Sequence, residues 1–467
     1  MSSLKIEDLS GIQGDILLNG FPKKAEVFCF FTIRAAQAFC QNIQAVANSK
    51  IATGKDIKDL REQISKLPKG QIIDVAKTNI AFTSRGLTKL SNAQSSLQKG
   101  LNGLQSSAPS FVGGMQNESE RQQLGDPVFN GWNLNQNGGG PIDGVLLVAG
   151  INMKTVEAEL QNVLKQLNVG GEVVVELFRE AGVERASQPG HEHFGFNDGI
   201  SHPQVFGIND SPSLNFQIDD VVQSTDNSNF VDPGVIVVGR HGDENSPKPQ
   251  WMNDGSFLVF RKLEQHVGKW NDFVINQWKN AGSKGPAQFS AQLVGRWQSG
   301  CPIFLEDQFD DSKLALKNDF VYGGFTAQGK CPLAAHVRKA HIRTGFNTSR
   351  IMRRGIPYGE DFLPGKPDVG RGLLFACYQS TIEDGYRFIQ TAWANQRSFP
   401  SQDAGLDVTI GQGKATDPPS PFQIGTKSVN INPINDFVTA KGGEYFFAPS
   451  MAVLKAGFNI GNFGARL

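Results

Sequence analysis

Apolar residues in this chain come in short uninterrupted runs, most of them followed by a stretch with helical spacing. Residues 25–33 form one such run, rich in Phe, and residues 35–47 behind it have helical periodicity. Residues 144–150 read as a buried strand, and residues 154–167 then place Val156, Leu160, Val163, Leu164 and Leu167 on one stripe. Residues 173–178 return as a strand. In the second half, a strand over 256–261 leads into a helix over 263–278, and a strand over 372–379 into a helix over 381–395. Two strand–helix units per half, with a returning strand visible in the first, are the pattern of a split βαβ module used twice. The predicted fold is α+β: two tandem ferredoxin-like modules.

Two polar stretches interrupt this pattern. Residues 206–251 are rich in Asp, Asn, Ser and Pro and are expected to connect an N-terminal module (1–205) to a C-terminal one (252–467). Residues 91–141 are too long for an ordinary connection and are expected to form a covering loop within the first module. No short repeat is visible.

Charge narrows the function classes. Lys+Arg 45 balances Asp+Glu 45 over 467 residues, so no basic excess offers a footprint for nucleic acid or an anionic membrane. No apolar run approaches the ~20 residues of a spanning helix. The first twenty residues lack a basic segment followed by an apolar one, so no signal peptide is visible. The chain is expected to be secreted if a leader precedes this sequence, and cytoplasmic otherwise. Sequons starting at Asn117, Asn209 and Asn347 keep secretion open. Five sparse cysteines without a Cys-x-x-Cys pair make neither a disulfide scaffold nor a zinc ribbon.

Three clusters carry candidate chemistry. The first is His191-Glu192-His193-Phe-Gly195-Phe-Asn-Asp198-Gly199, followed by Ser201 and His202. As a strand it would set His191 and His193 on one face as metal ligands, the basis of a metal-hydrolase reading, but no third ligand is evident. The plainer reading is a polar loop with an Asp-Gly turn. The second is Cys331-Pro-Leu-Ala-Ala-His336-Val-Arg338-Lys339-Ala-His341. A lone His is more often structural than a ligand, yet a haem needs an imidazole for its iron and cations near its propionates. The third, Arg353-Arg354-Gly-Ile-Pro-Tyr358-Gly359, sets adjacent arginines before a rigid turn, or else is a surface basic pair.

Taken together, these blocks resemble the dye-decolourising peroxidases, a haem peroxidase family. Matching blocks run in order along nearly the whole chain. They are Ile12-Gln-Gly-Asp-Ile-Leu17, Leu124-Gly-Asp-Pro127 with Trp132, His193 to Ser201, Asp254 to Leu263, Cys331 to Arg338, Arg353 to Gly359, and Gly372-Leu-Leu-Phe375. The long insertions resemble the larger, fungal-type branch. That family's fold is two ferredoxin-like modules, with haem bound mainly by the C-terminal half.

The resemblance implies one non-covalent haem b per chain, since no Cys-x-x-Cys-His attachment signal is present. It makes His336 the axial ligand of the iron and sends Arg338 to a propionate. Asp198 and Arg353 would line the peroxide side, with Leu373 and Phe375, on one strand face, walling the same pocket. Asp407 matches the carboxylate that receives the imidazole N–H, although Val408-Thr409 stands where the family often has Pro-Ile; Glu383 and Asp384 are the alternatives for that position. Trp393 would be a surface oxidation site for bulky donors, with Tyr358 as a stepping stone; the plain alternative for Trp393 is an ordinary core aromatic. His202 stands where Gln is common.

The implied activity is reduction of H2O2 through a ferryl intermediate, with one-electron oxidation of dyes, phenols or other bulky aromatic reductants. The alternative is a non-catalytic haem carrier or haem-handling protein, which would need the proximal ligand and pocket but not both Asp198 and Arg353.

Overall fold

The computed structural model describes residues 2–68, 70–126, 140–210, 229–243, 248–323, 330–343, 348–402, 404–414, 416–432 and 437–461. Trp132, the sequon Asn347 and parts of both polar stretches lie outside the described residues.

One antiparallel sheet organises the molecule. Its strands are β1 (Ala25–Ile33), β2 (Ala76–Phe82), β3 (Gly144–Gly150), β4 (Val174–Val183), β5 (Ser256–Gln265), β6 (Met352–Arg353), β7 (Ile356–Tyr358), β8 (Gly372–Gln379) and β9 (Val438–Ala448). The order is β4-β1-β3-β2-β9-β5-β8-β6, with β7 also on β8. In each half the last strand precedes the first, then the third, then the second, which is the ferredoxin-like order twice. The halves join where Phe82 of β2 stands opposite Phe447 of β9, so the two modules share a single sheet.

Burial on both faces explains why β1 and β3 read as unbroken apolar runs rather than alternations. On β1, Val27, Cys29, Phe31 and Ile33 pack under the helices α1 (Ala36–Ser49) and α2 (Met153–Leu167). Phe28 and Phe30 point to the other face, against Leu9, Ile12 and Ile16 of the N-terminal segment. In α2 the expected stripe is buried at Val156, Leu160, Val163 and Leu167, and Asn152 caps the helix by accepting from the Thr155 amide at 2.9 Å.

Three expectations change. The helix expected over 263–278 starts later: β5 runs to Gln265, and the helix α3 covers Val267–Gln277. Strand pairing on both sides holds Leu263 extended, and pairing with Val438 holds Gln265, overriding their helical spacing. The helix expected over 381–395 begins only at Tyr386 and passes into a π-turn over Ile389–Ala394. Residues 91–126 are not an irregular loop but four short helices, Ser95–Gly100, Leu104–Ser107, Pro109–Gly113 and Glu118–Leu124. Buried Leu97, Leu104, Phe111 and Leu124 anchor them.

Candidate active site

Period-two geometry builds one wall of a cavity from the second half of the sheet. Leu373 pairs with Leu263 and Phe375 with Arg261, so all four side chains share a face. Ala440 and Val438 continue that face opposite Leu263 and Gln265. Arg353 pairs with Cys377, two residues beyond Phe375, and so joins the same face. The short helix α4 (His336–Ala340) lines the same cavity through His336, Val337 and Ala340. The cavity measures about 660 Å³ and is mostly apolar-walled by Phe194, Phe196, Val294, Leu263, Leu373 and Phe375. Cofactor pockets typically span ~300–1,000 Å³.

His336 lines this cavity, and its Nδ1 donates to Asp407 Oδ2 at 2.9 Å. That bond fixes the tautomer, leaving Nε2 as the nitrogen with a free lone pair. Asp407 is itself held: its Oδ1 accepts from the Thr409 amide at 2.8 Å, the Thr409 hydroxyl at 2.9 Å and the Ile410 amide at 3.0 Å. Burial pushes the Asp407 carboxyl up, but the His336 charge and these donors outweigh it, and the net shift is down. Burial pushes His336 down, and the Asp407 charge and hydrogen bond reverse that to a net rise. Gly411 allows the close packing here, since a Cβ would lie 2.5 Å from the Asp407 carbonyl and 2.7 Å from that of Ala394.

Asp198 and Arg353 meet in the same cavity as an ion pair from Arg353 Nη1 to Asp198 Oδ1. The Gly199 amide donates to the same oxygen at 2.7 Å, and Gly199 has φ +92°, a left-handed conformation that favours glycine. Burial raises the Asp198 carboxyl, but the Arg353 charge and the two hydrogen bonds outweigh it and hold the group below its ordinary range. His202, buried beside this pair, is pushed far down by burial and by the neighbouring arginines, and is therefore neutral.

Not every expected residue reaches the site. Arg338 does not line the cavity: it is 1% exposed, donates to the Cys331 carbonyl at 2.6 Å and lies over the Tyr322 ring at 4.6 Å. Two residues apart on a helix point to opposite sides, so His336 facing the cavity turns Arg338 away, whereas Ala340 stays on the His336 side. Trp393 is not at the surface. It is 2% exposed, stacked on Phe399 at 5.2 Å with Phe388 edge-on at 5.5 Å, and does not line the cavity. Its place four residues after Ile389 is a core position. Tyr358 also lies outside the cavity, buried, with Lys262 over its ring. His191 and His193 turn to separate carbonyls, those of Pro189 and Tyr358, each at 2.8 Å. No group of three His, Cys, Asp or Glu that could hold a metal ion occurs among the described residues.

In place of Arg338, the cavity presents Arg296 and Arg350, to which the sequence reading gave no role, and His341 of the second cluster. Burial pushes both guanidiniums down to about 9, aided by the neighbouring Arg343 charge. Arg350 Nη1 and His341 Nδ1 are buried without a hydrogen-bond partner. A guanidinium buried this way calls for an anion, and the neutral His341 ring beside it can add a hydrogen bond. The available signal was the Arg350-Ile-Met-Arg353 spacing, which carries two arginines toward one pocket.

Comparison with known proteins places this geometry. Residues 11–185 match the model of the DyP dimeric alpha+beta barrel domain, and residues 223–404 that of the C-terminal domain of Dyp-type peroxidases. Over 97% of its length the chain is 31% identical to the dye-decolorizing peroxidase msp1 of Mycetinis scorodonius, covering 88% of that protein. It is 33% identical to peroxidase 2 of the same fungus, covering 96% of this chain and 87% of the relative. The chain belongs to the dye-decolourising peroxidases. The solved structure of an ancestral D-type dye-decolourising peroxidase superposes with a TM-score of 0.83 at 35% identity, over 97% of this chain and 99% of that one. Family membership makes this a peroxidase and implies a haem cofactor, H2O2 and reducing substrates. The residues fit that group: an imidazole with a fixed tautomer, apolar walls for a macrocycle, and the unpartnered Arg350 and His341 nitrogens for its carboxylates.

Proposed function

We propose that this protein reduces H2O2 at a non-covalent haem b, one per chain, and oxidises aromatic or dye-like donors in one-electron steps. The observation that carries the reading is the Asp198–Arg353 ion pair in the same cavity as the Asp407-held His336. A haem carrier needs the second of these and has no use for the first. When bound, the haem iron supplies the redox chemistry, taking two oxidising equivalents from peroxide and accepting single electrons from donors. His336 Nε2 is the nitrogen left to hold the iron, and Arg350, Arg296 and His341 would hold the propionates. Asp198, ionised through the Arg353 charge, would take a proton from peroxide and return it to the leaving oxygen. Arg353, a permanent cation, stabilises the negative charge that grows as the O–O bond breaks. The deciding experiment is the visible spectrum of haem-loaded protein before and after one equivalent of H2O2. A Soret band that shifts supports the reading, whereas a protein that takes up no haem ends it.

Two further results are expected. Asp407 would make the His336 imidazole more electron-rich and disfavour ferrous haem, so Asp407→Asn is expected to raise the Fe(III)/Fe(II) potential while haem stays bound. Potentiometric titration checks this, and an unchanged potential removes Asp407 from the role. Because Trp393 is packed between Phe388 and Phe399, Trp393→Phe costs ~0.5–3 kcal/mol of stability. Turnover of an anthraquinone dye and of a small phenol then fall together with Tm. Loss of the dye activity alone, at unchanged Tm, would restore an electron-exit role to Trp393.

A further inference from the structure

Donors too large for the cavity need an electron path through protein, and one cavity wall is a phenol. Tyr386 lines the cavity beside Phe375, with ring centroids 5.8 Å apart. Tyr445 belongs to the same buried cluster, and both phenols lie within electrostatic reach of Arg261, whose guanidinium Asp126 holds. Tyr445 is 0% exposed, yet its hydroxyl donates to Glu120 Oε1 at 2.8 Å. Glu120 accepts in turn from Arg387 Nε at 3.1 Å, and the Arg387 side chain is 24% exposed. A phenol at the cavity, a second phenol within its electrostatic reach, the carboxylate that phenol bonds and a part-exposed guanidinium are thus linked in sequence.

The chemistry of phenol oxidation gives this chain a use. Burial pushes the Tyr445 hydroxyl far up, so it is never a phenolate at working pH. It can lose an electron readily only if a base within hydrogen-bond reach takes its proton in the same step, and Glu120 is placed for that. We propose that Tyr445 is an electron relay for donors that stay outside the cavity, with Glu120 as the acceptor of its phenolic proton. This rests on the peroxidase reading above, which supplies the oxidant. In the first step the Tyr445 O–H bond breaks: one electron passes by way of the Tyr386 ring to the peroxide-oxidised site, the proton passes to Glu120, and a tyrosyl radical remains. A phenolic donor at the Arg387 face then gives one electron to that radical. Glu120 returns its proton to the Tyr445 oxygen, and the donor leaves as a phenoxyl radical after losing its own proton to water. Two such rounds use both oxidising equivalents of one peroxide.

The test is freeze-quench electron paramagnetic resonance of the haem-loaded protein after one equivalent of H2O2, with and without ring-deuterated tyrosine. The parent is expected to give a radical whose hyperfine structure narrows on tyrosine deuteration. That signal is lost in Tyr445→Phe, which keeps the ring, and in Glu120→Gln, which keeps the shape but removes the base. Should Tyr445→Phe fail to hold haem, Glu120→Gln alone decides. A tyrosyl signal equal in parent and variants, or a radical that follows tryptophan labelling instead, overturns the relay. Visible spectra of the same parent samples separate the two readings. A shifted Soret band without a tyrosyl signal sinks the relay alone, and no shift at all sinks the peroxidase reading with it.

Discussion

Replacing His336 with Ala abolishes stable haem retention, while His341→Ala leaves the Soret band in place. Both imidazoles line the cavity, so position alone does not choose between them. Their surroundings do. His336 Nδ1 is committed to Asp407, which fixes the ring and directs the other nitrogen's lone pair to a metal. His341 Nδ1 has no partner, and burial with three nearby arginines pushes that ring well down, leaving it a neutral neighbour of the cationic end. Losing a hydrogen-bond partner of a metal ligand typically costs ~10–100-fold in metal affinity, and losing the ligand itself costs more. Haem titration followed at the Soret band, with gel filtration to separate bound from free haem, reads the result. Retention in His336→Ala together with loss in His341→Ala would give the iron-holding role to His341.

How far the sequence carried this site depended on what set each residue in place. Where local pattern governs, the reading held: residues 25–33, 144–150 and 372–379 are strands with the bounds expected, because burial on both faces leaves unbroken apolar runs. Strand β9 was not legible, since Lys441-Gly442-Gly443 interrupts its apolar pattern where the register shifts against β5. Strand β2 hides likewise behind buried Thr78 and Asn79. In the site, His336, Asp198, Arg353 and Asp407 stand in short motifs, and the fold brings them to one cavity or its edge. Arg338 stands in such a motif too, but motif spacing does not show which side of a one-turn helix faces the cavity. Arg296 could not be singled out, because its distinguishing property is burial without a carboxylate, and that exists only after folding; Arg350 had only its spacing from Arg353 to mark it. Trp393 shows the same limit: helical spacing from Ile389 favours the core as much as an electron exit, and only the Phe399 stack decides its exposure.

Arg353→Leu is expected to slow the peroxide step by ~10²–10³-fold, equivalent to ~2.7–4 kcal/mol, the range for losing a preorganised donor at a developing oxyanion. Asp198→Asn removes the base and is expected to cost no more than this, since the cation remains to stabilise the breaking O–O bond. Both variants retain haem, because neither residue belongs to the His336–Asp407 pair or to the Arg296, Arg350 and His341 end. The pH profile separates the two roles. Burial alone raises the Asp198 carboxyl, and the Arg353 charge is the first of the contributions that bring it below its ordinary 3.8. A group held low stays ionised as pH falls and loses its charge only on passing through that lowered value. The parent's rate of peroxide reaction therefore persists to pH values below 3.8 before it drops. With Leu at 353, desolvation is left opposed only by the weaker donors and the more distant charges, the carboxyl rises, and the acid limb moves to higher pH. With Asn at 198 the limb disappears altogether. Stopped-flow rates of the Soret shift, measured from mildly acid pH downward, read all three profiles. If Arg353→Leu lowers the rate without moving the acid limb, the arginine acts on peroxide alone and Asp198 draws its acidity from the Gly199 amide.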